Sequence, residues 1–195
     1  MKLSPKRWLF LTHRWLGIAL CLLFAMWFAS GVVMMYVGYP KLTAQERLAH
    51  LPALPAEAAL LTPQQALARA GWQQPLQELR LNAGTAGKPV YVLTGPADKT
   101  QPGGKRTTVV DAITGELLRE VDANTALASA AAWAGQSAEP AQALHYLGTV
   151  QEDAATHSRA LDAHRPLHVV ALADGTWLYL SSRSGDVVRD ATRSE

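Results

Sequence analysis

The stretches "TGELLRE" at residues 114–120 and "SGDVVRD" at residues 184–190 match position for position: hydroxyl, glycine, acid, two aliphatics, arginine, acid. A glycine set between a hydroxyl residue and an acid is turn composition, so each stretch reads as a tight turn that leads into a strand. Upstream of the first lie three strand-like runs, "LQELRLN" (76–82), "PVYVLTG" (89–95) and "KRTTVVDA" (105–112), after a helix announced by Thr62-Pro63 and "QQALARAG". Threonine is a good N-cap, proline suits the first helical position, and Gly71 supplies a stop. Upstream of the second lie helix-like "NTALASAAAWAG" (124–135) and strand-like "PLHVVAL" (166–172) and "GTWLYLS" (175–181). Helix, strands and turn recur in the same order. We read an internal duplication of a module in which a helix packs on an antiparallel sheet, an α+β fold. Gly115 and Gly185 are expected in equivalent turns, and the alternation in "PVYVLTG" and "TWLYLS" predicts half-buried strands.

Ahead of both modules, "PKLTAQERLAHLPALPAEAALL" (40–61) holds three prolines and many alanines and reads as a linker or short helical lead-in. Ahead of that, "LTHRWLGIALCLLFAMWFASGVVMMYVG" (11–38) carries no charged residue from Trp15 to Val37. At about 1.5 Å rise per helical residue this run covers the roughly 30 Å of a bilayer's hydrocarbon. A transmembrane helix over 15–38 is therefore expected. The competing reading is a cleaved signal peptide, because Ala29-Ser30-Gly31 offers small residues to a signal peptidase. Against it, signal h-regions run only ~7–15 residues, whereas Val32 to Met35 carry the apolar run past that point. A buried helix of a soluble protein would show a polar stripe, and this run shows none.

The formal charge of +2 is unevenly placed: Lys2, Lys6, Arg7 and Arg14 precede the apolar run with no acid among them, so the rest of the chain is net acidic. Positive-inside bias then puts the N-terminus in the cytoplasm and Tyr39 to Glu195 on the far side of the membrane, the periplasm of a Gram-negative bacterium. Trp15 and Tyr36 flank the span as interfacial residues. A nucleic-acid partner has no basic surface to answer to in this composition. Cys21, the single cysteine, lies inside the apolar run, which leaves no disulfide framework or cysteine metal site for the remainder.

With these residues in view, the chain resembles the PepSY-associated transmembrane proteins, bacterial inner-membrane proteins in which PepSY modules sit between membrane helices. "HRWLGIALCLLFAMWFASGVVMMY" is similar to that family's first helix, "DAITGELL" and "SRSGDVV" to PepSY hairpins, and "HRPLHVVALADGTWLYLSSRSGDVVRDATRSE" to the end of its periplasmic segment. The resemblance implies a basic cytoplasmic tail over 1–14, the transmembrane helix over 15–38, a linker over 39–61, and PepSY-like modules over 62–122 and 123–195. It implies a membrane-anchored periplasmic binding or regulatory protein linked to iron uptake. The partners are the lipid bilayer, further membrane helices, and an iron-uptake or peptidase protein. Some relatives bind haem b through membrane histidines and reduce ferric siderophores, and they continue into further helices after a segment like "RDATRSE". On that alternative His13 is a candidate axial haem ligand and Arg14 a propionate partner. The competing reading makes both residues interfacial anchors. One helix cannot enclose a macrocycle, so haem is expected only in a longer form or complex and none on the isolated chain.

Elsewhere the sequence is thin in chemistry. His164 and His168 in "HRPLH" would share a metal on a helix, but Pro166 between them favours extended backbone, and extended they stand about 13 Å apart. Hydrogen-bonded or solvated histidines are expected there instead. His145-Tyr146 and His157 show no telling spacing. No Gly-x-Ser-x-Gly elbow, His-Glu-x-x-His or phosphate loop is present, which argues against a hydrolase.

Overall fold

The computed structural model describes residues 4–36, 42–97, 105–135 and 143–192. The chain divides into two compact units, Met1–Pro40 and Lys41–Glu195.

Among its described residues the first unit holds one helix, α1 (Pro5–Tyr36), 32 residues long with no buried side chain. At about 1.5 Å per residue it reaches about 48 Å, more than the hydrocarbon layer requires and enough to enter both headgroup regions. It is long and apolar enough to cross a membrane. Its start lies well before the expected Trp15. Proline is tolerated at the first helical position, and the Ser4 carbonyl accepts from the Arg7 and Trp8 amides. Lys6, Arg7, His13 and Arg14 therefore sit on the helix rather than on a tail. Val37 and Gly38, where the span was expected to end, lie outside the described residues.

The second unit opens with α2 (Ala44–Ala49), inside the segment expected to link. Thr43 and Glu46 form a capping box, the Thr43 hydroxyl accepting from the Glu46 amide and the Glu46 carboxylate from the Thr43 amide. α3 (Pro63–Arg69) is built the same way on Thr62 and Gln65. There follow β1 (Glu78–Thr85), β2 (Lys88–Ala97), β3 (Lys105–Asp111) and β4 (Leu117–Leu118), paired in that order as an antiparallel meander. The two-residue period of the strands sends Leu79, Leu81, Tyr91, Leu93 and Val110 to one face, where Ala66 and Leu67 of α3 close the core.

The arrangement then repeats. α4 (Ala123–Ala134), capped by Asp122 accepting from the Thr125 amide, precedes β5 (Leu144–Val150), β6 (Leu167–Leu172), β7 (Thr176–Ser181) and β8 (Val187–Thr192), again an antiparallel meander in chain order. Ala130 and Trp133 of α4 pack on Val170, Leu178, Leu180 and Val187. The repeats differ at the first hairpin. Ala86 and Gly87 join β1 to β2, whereas residues 151–166 join β5 to β6 and fold into a 3-10 helix (Arg159–His164). That helix sets Leu161 against Leu167, Val169 and Tyr179, covering the sheet face opposite α4. Asp153 fastens the insertion by accepting from the Ala155 and Thr156 amides, the Thr156 hydroxyl and the Tyr179 hydroxyl.

The two glycine turns are built alike. Gly115 has φ 76° and donates to the Asp111 carbonyl at 3.0 Å; Gly185 has φ 72° and donates to the Ser181 carbonyl at 2.8 Å. In return the Asp111 amide donates to the Glu116 carbonyl and the Ser181 amide to that of Asp186. Asp111 Oδ1 and Ser181 Oγ each accept two amides inside the turn. Gly115→Val and Gly185→Val should each destabilise the unit by about 1–3 kcal/mol, since a β-branched residue is strained at positive φ. The readout is the midpoint of urea unfolding, and an unchanged midpoint at either site would contradict the turn geometry there.

Candidate functional site

The residues singled out in the sequence lie in different local surroundings. His13 and Arg14 are exposed, consecutive residues of α1, so they point about 100° apart around the helix. Met1–Pro40 contains no histidine besides His13. One imidazole on one helix supplies a single axial ligand and no enclosing wall, so the residues of this unit do not by themselves fit a haem.

His164 and His168 have different partners. The residue between His164 and Pro166, Arg165, is extended, as the proline requires. His164 Nδ1 meets Ser181 Oγ at 3.1 Å, and that hydroxyl also accepts from the Arg183 and Ser184 amides, which ties it into its turn. His168 is buried, with Nδ1 2.8 Å from the Tyr146 hydroxyl and its ring also hydrogen-bonded to the Val121 backbone. His157 pairs with Glu152 at the surface.

Burial pushes the His168 pKa down, against the Val121 hydrogen bond and the charges of Asp122 and Glu120, which raise it. The unfolded chain takes up the proton near the ordinary value of about 6.5 while the folded chain resists it. Stability should therefore be level above that pH and fall as pH drops below it, until the folded-state pKa is reached. Thermal unfolding between about pH 8 and pH 5 reads this, and His168→Gln should flatten the slope. A wild-type profile already flat across the interval would rule the assignment out.

A denser cluster lies where the two modules meet, and it starts from strand register. With Leu79 and Leu81 facing α3, the alternate residues Glu78, Arg80 and Asn82 face the other way, together with Val92 and Thr94 of β2. Into this face the second glycine turn inserts Asp186, which is 2% exposed. Its Oδ2 accepts from Arg80 Nη2 at 2.6 Å and from Arg47 Nη2, on α2, at 3.0 Å. Its Oδ1 lies 3.5 Å from Asn82 Nδ2. The Thr85 hydroxyl donates to the Ser184 carbonyl at 2.6 Å, and the Ala86 amide donates to Ser129 Oγ on α4. Beside the cluster His50 stacks on Trp133 with centroids 4.6 Å apart. The segment read as a linker or short helical lead-in thus contributes Arg47 and His50 to these contacts.

Above Asp186 a cleft of about 280 Å³ separates the first sheet from the 3-10 helix. Arg80, Val92, Thr94 and Thr107 form one wall, Arg159, Ala163 and His164 the other, with Arg47 and Ser184 at the base and Glu78 also in the lining. Burial pushes the Arg47 pKa down, and Arg80 adds to that push, while Asp186 and Glu78 oppose it. Arg47, Arg80 and Arg159 outnumber Glu78 in the lining, and Asp186, shared by Arg47 and Arg80, offsets only part of the remainder, so the cleft is positive and suited to an anion. Asp186 stands in the second glycine turn but reads in sequence only as part of that turn, and no motif marks Arg47, Arg80 or Arg159. The signal available was Arg80 between two core-facing leucines of a strand, a charge on a face that has to meet something.

No family model matches the chain, and no curated protein or solved structure matches it at a significant level.

Proposed function

We propose that this chain is a single-span protein of the bacterial inner membrane whose second unit is a pair of PepSY-like modules in the periplasm, acting as a binding or regulatory module in iron uptake. The observation that carries it is the helix-plus-four-strand meander repeated twice, with matching glycine turns, after one apolar helix. The N-terminal cations supply the orientation, and a positive cleft without catalytic machinery favours binding over turnover. The peptidase or iron-uptake partner comes from the family resemblance and from nothing else. The haem-reductase alternative has His13 alone in its favour and would take its remaining ligands from other helices.

Alkaline phosphatase fused after Glu195 should be active in the periplasm, and an N-terminal epitope tag should stay on the full-length chain in the membrane fraction. An inactive phosphatase with a fluorescent cytoplasmic reporter at the same position would overturn the orientation. Loss of the tag with release of the second unit would show a cleaved signal peptide instead.

A further inference from the structure

The Asp186 cluster is unbalanced in a way that points to a ligand. Two guanidinium groups converge on one oxygen of one carboxylate, each through a single Nη2. The fork of an arginine offers five donors and matches a carboxylate best when two are used side by side, so most of this capacity is unspent. Arg80 Nε is buried and has no hydrogen-bond partner among the described residues. An unpartnered buried donor of a charged group is an unfavourable arrangement unless something else meets it. Across the cleft, Arg159 is exposed and forms no ion pair among the described residues, since the four ion pairs there involve Arg47, Arg80, His157 and Arg165.

We propose that the cleft between the first sheet and the 3-10 helix binds the carboxylate of a peptide, held between Arg80 and Arg159. Three observations select this ligand over other anions. The lining holds Arg47, Arg80, Arg159 and Glu78, and Arg47 and Arg80 share Asp186 outside it, so about one positive charge is left for a ligand, which suits a monoanion and disfavours phosphate with its second charge. A cleft of about 280 Å³ falls just below the range that holds a whole small molecule, room for one acidic group and a short stem. The walls beside the arginines are Val92, Thr94, Thr107 and Ala163, which offer an aliphatic stem apolar contact and a peptide amide two hydroxyl partners. Arg47 positions the site from below by sharing Asp186 with Arg80. This deepens the reading of the second unit as a binding module by naming the chemistry it recognises.

The test is amide-detected NMR of the full chain in detergent micelles, titrated with acetyl-Ala-Ala, acetyl-Ala-Ala-amide, acetyl-Ala-Glu-amide and inorganic phosphate. Saturable shifts clustered on Arg80, Thr94, Thr107 and Ala163 are expected with a carboxylate peptide and not with acetyl-Ala-Ala-amide. Tighter binding of acetyl-Ala-Ala assigns the carboxylate to a chain terminus, and tighter binding of acetyl-Ala-Glu-amide to an acidic side chain. Arg159→Gln, on the exposed rim and outside the Asp186 cluster, should weaken binding about tenfold or more while leaving the remaining amide spectrum in place. The proposal fails if no peptide shifts those amides, if acetyl-Ala-Ala-amide binds as well as the acid, if phosphate binds more tightly than both acids, or if Arg159→Gln binds like the wild type. An inactive phosphatase fusion in a chain that still binds the peptide would sink the membrane orientation alone. Absent binding with an active fusion would sink the cleft alone.

Discussion

Asp186→Ala should lower the stability of the second unit by about 2–3 kcal/mol, whereas Glu116→Ala, at the equivalent place in the first glycine turn, should change it by less than about 0.5 kcal/mol. The two acids sit in turns with the same backbone hydrogen bonds, so turn propensity predicts the same result for both. Surroundings separate them. Glu116 is exposed, whereas Asp186 is almost fully buried and balances Arg47 and Arg80. Deleting it leaves two guanidinium groups facing each other without a counter-charge. The full penalty of a broken buried pair is about 3–5 kcal/mol, and it is discounted here because the arginine side chains keep 28% and 34% of their exposure. Urea unfolding of the full chain, followed by near-ultraviolet circular dichroism of the tryptophans, measures both variants. Equal midpoints for the two would mean that Asp186 closes its turn and does nothing between modules.

The same pair shows which parts of the structure a linear reading can reach. The turns were legible because their signal is local: a glycine at fixed offset from an acid and a strand, with a φ no other residue adopts cheaply. The cap of α3 was legible for the same reason, whereas the Asp122 cap of α4 was not read. The alternating strands β2 and β7 were also legible. β5 was not. Its burial alternates, but Leu147 places an apolar residue on the exposed side and Gly148, with φ 116°, stands where the register with β6 shifts, so "LHYLGTV" presents no clean period in sequence. Residues 40–61 left a linker and a short helical lead-in both open because of their three prolines and many alanines; the capping box of α2, its Arg47 and the neighbouring His50 give a one-and-a-half-turn helix enough partners to stay docked. The Asp186 cluster was legible only in fragments, the acid as part of a turn and Arg80 as a charge between two core-facing leucines. It draws on residues 47, 80, 82 and 186, and nothing in sequence spacing says that two repeats will meet through the turn of one and the strand face of the other. The departure from symmetry is what carries the candidate function: the insertion at 151–166 gives the second module a 3-10 helix, and that helix walls the cleft.

Gly84→Ala should destabilise the unit by about 2–3 kcal/mol in the wild-type chain and by less than about 1 kcal/mol when Asp186→Ala is already present. Gly84 lies in β1, where its φ is not in the left-handed region, so the backbone itself tolerates alanine and intrinsic strand propensity favours it slightly. The obstacle is space. A Cβ built on Gly84 falls 2.1 Å from Asp186 Oδ1 and 3.2 Å from its Cγ, well inside van der Waals contact. A long exposed side chain would swing aside at little cost, but this carboxylate is short, buried and held by two arginines. Moving it stretches both charge-assisted hydrogen bonds or pushes β1 away from the second glycine turn. With alanine at 186 the obstructing oxygens are gone, and the remaining close neighbour, Leu51 Cδ2 at 3.2 Å, is the end of a side chain that has another rotamer open to it. The four urea midpoints of the cycle therefore contain a coupling of about 1–2 kcal/mol with a fixed sign, the double variant being more stable than the sum of the singles predicts. Additive costs would show that the carboxylate yields freely, and an Asp186 that yields freely could not be what locks the two modules together.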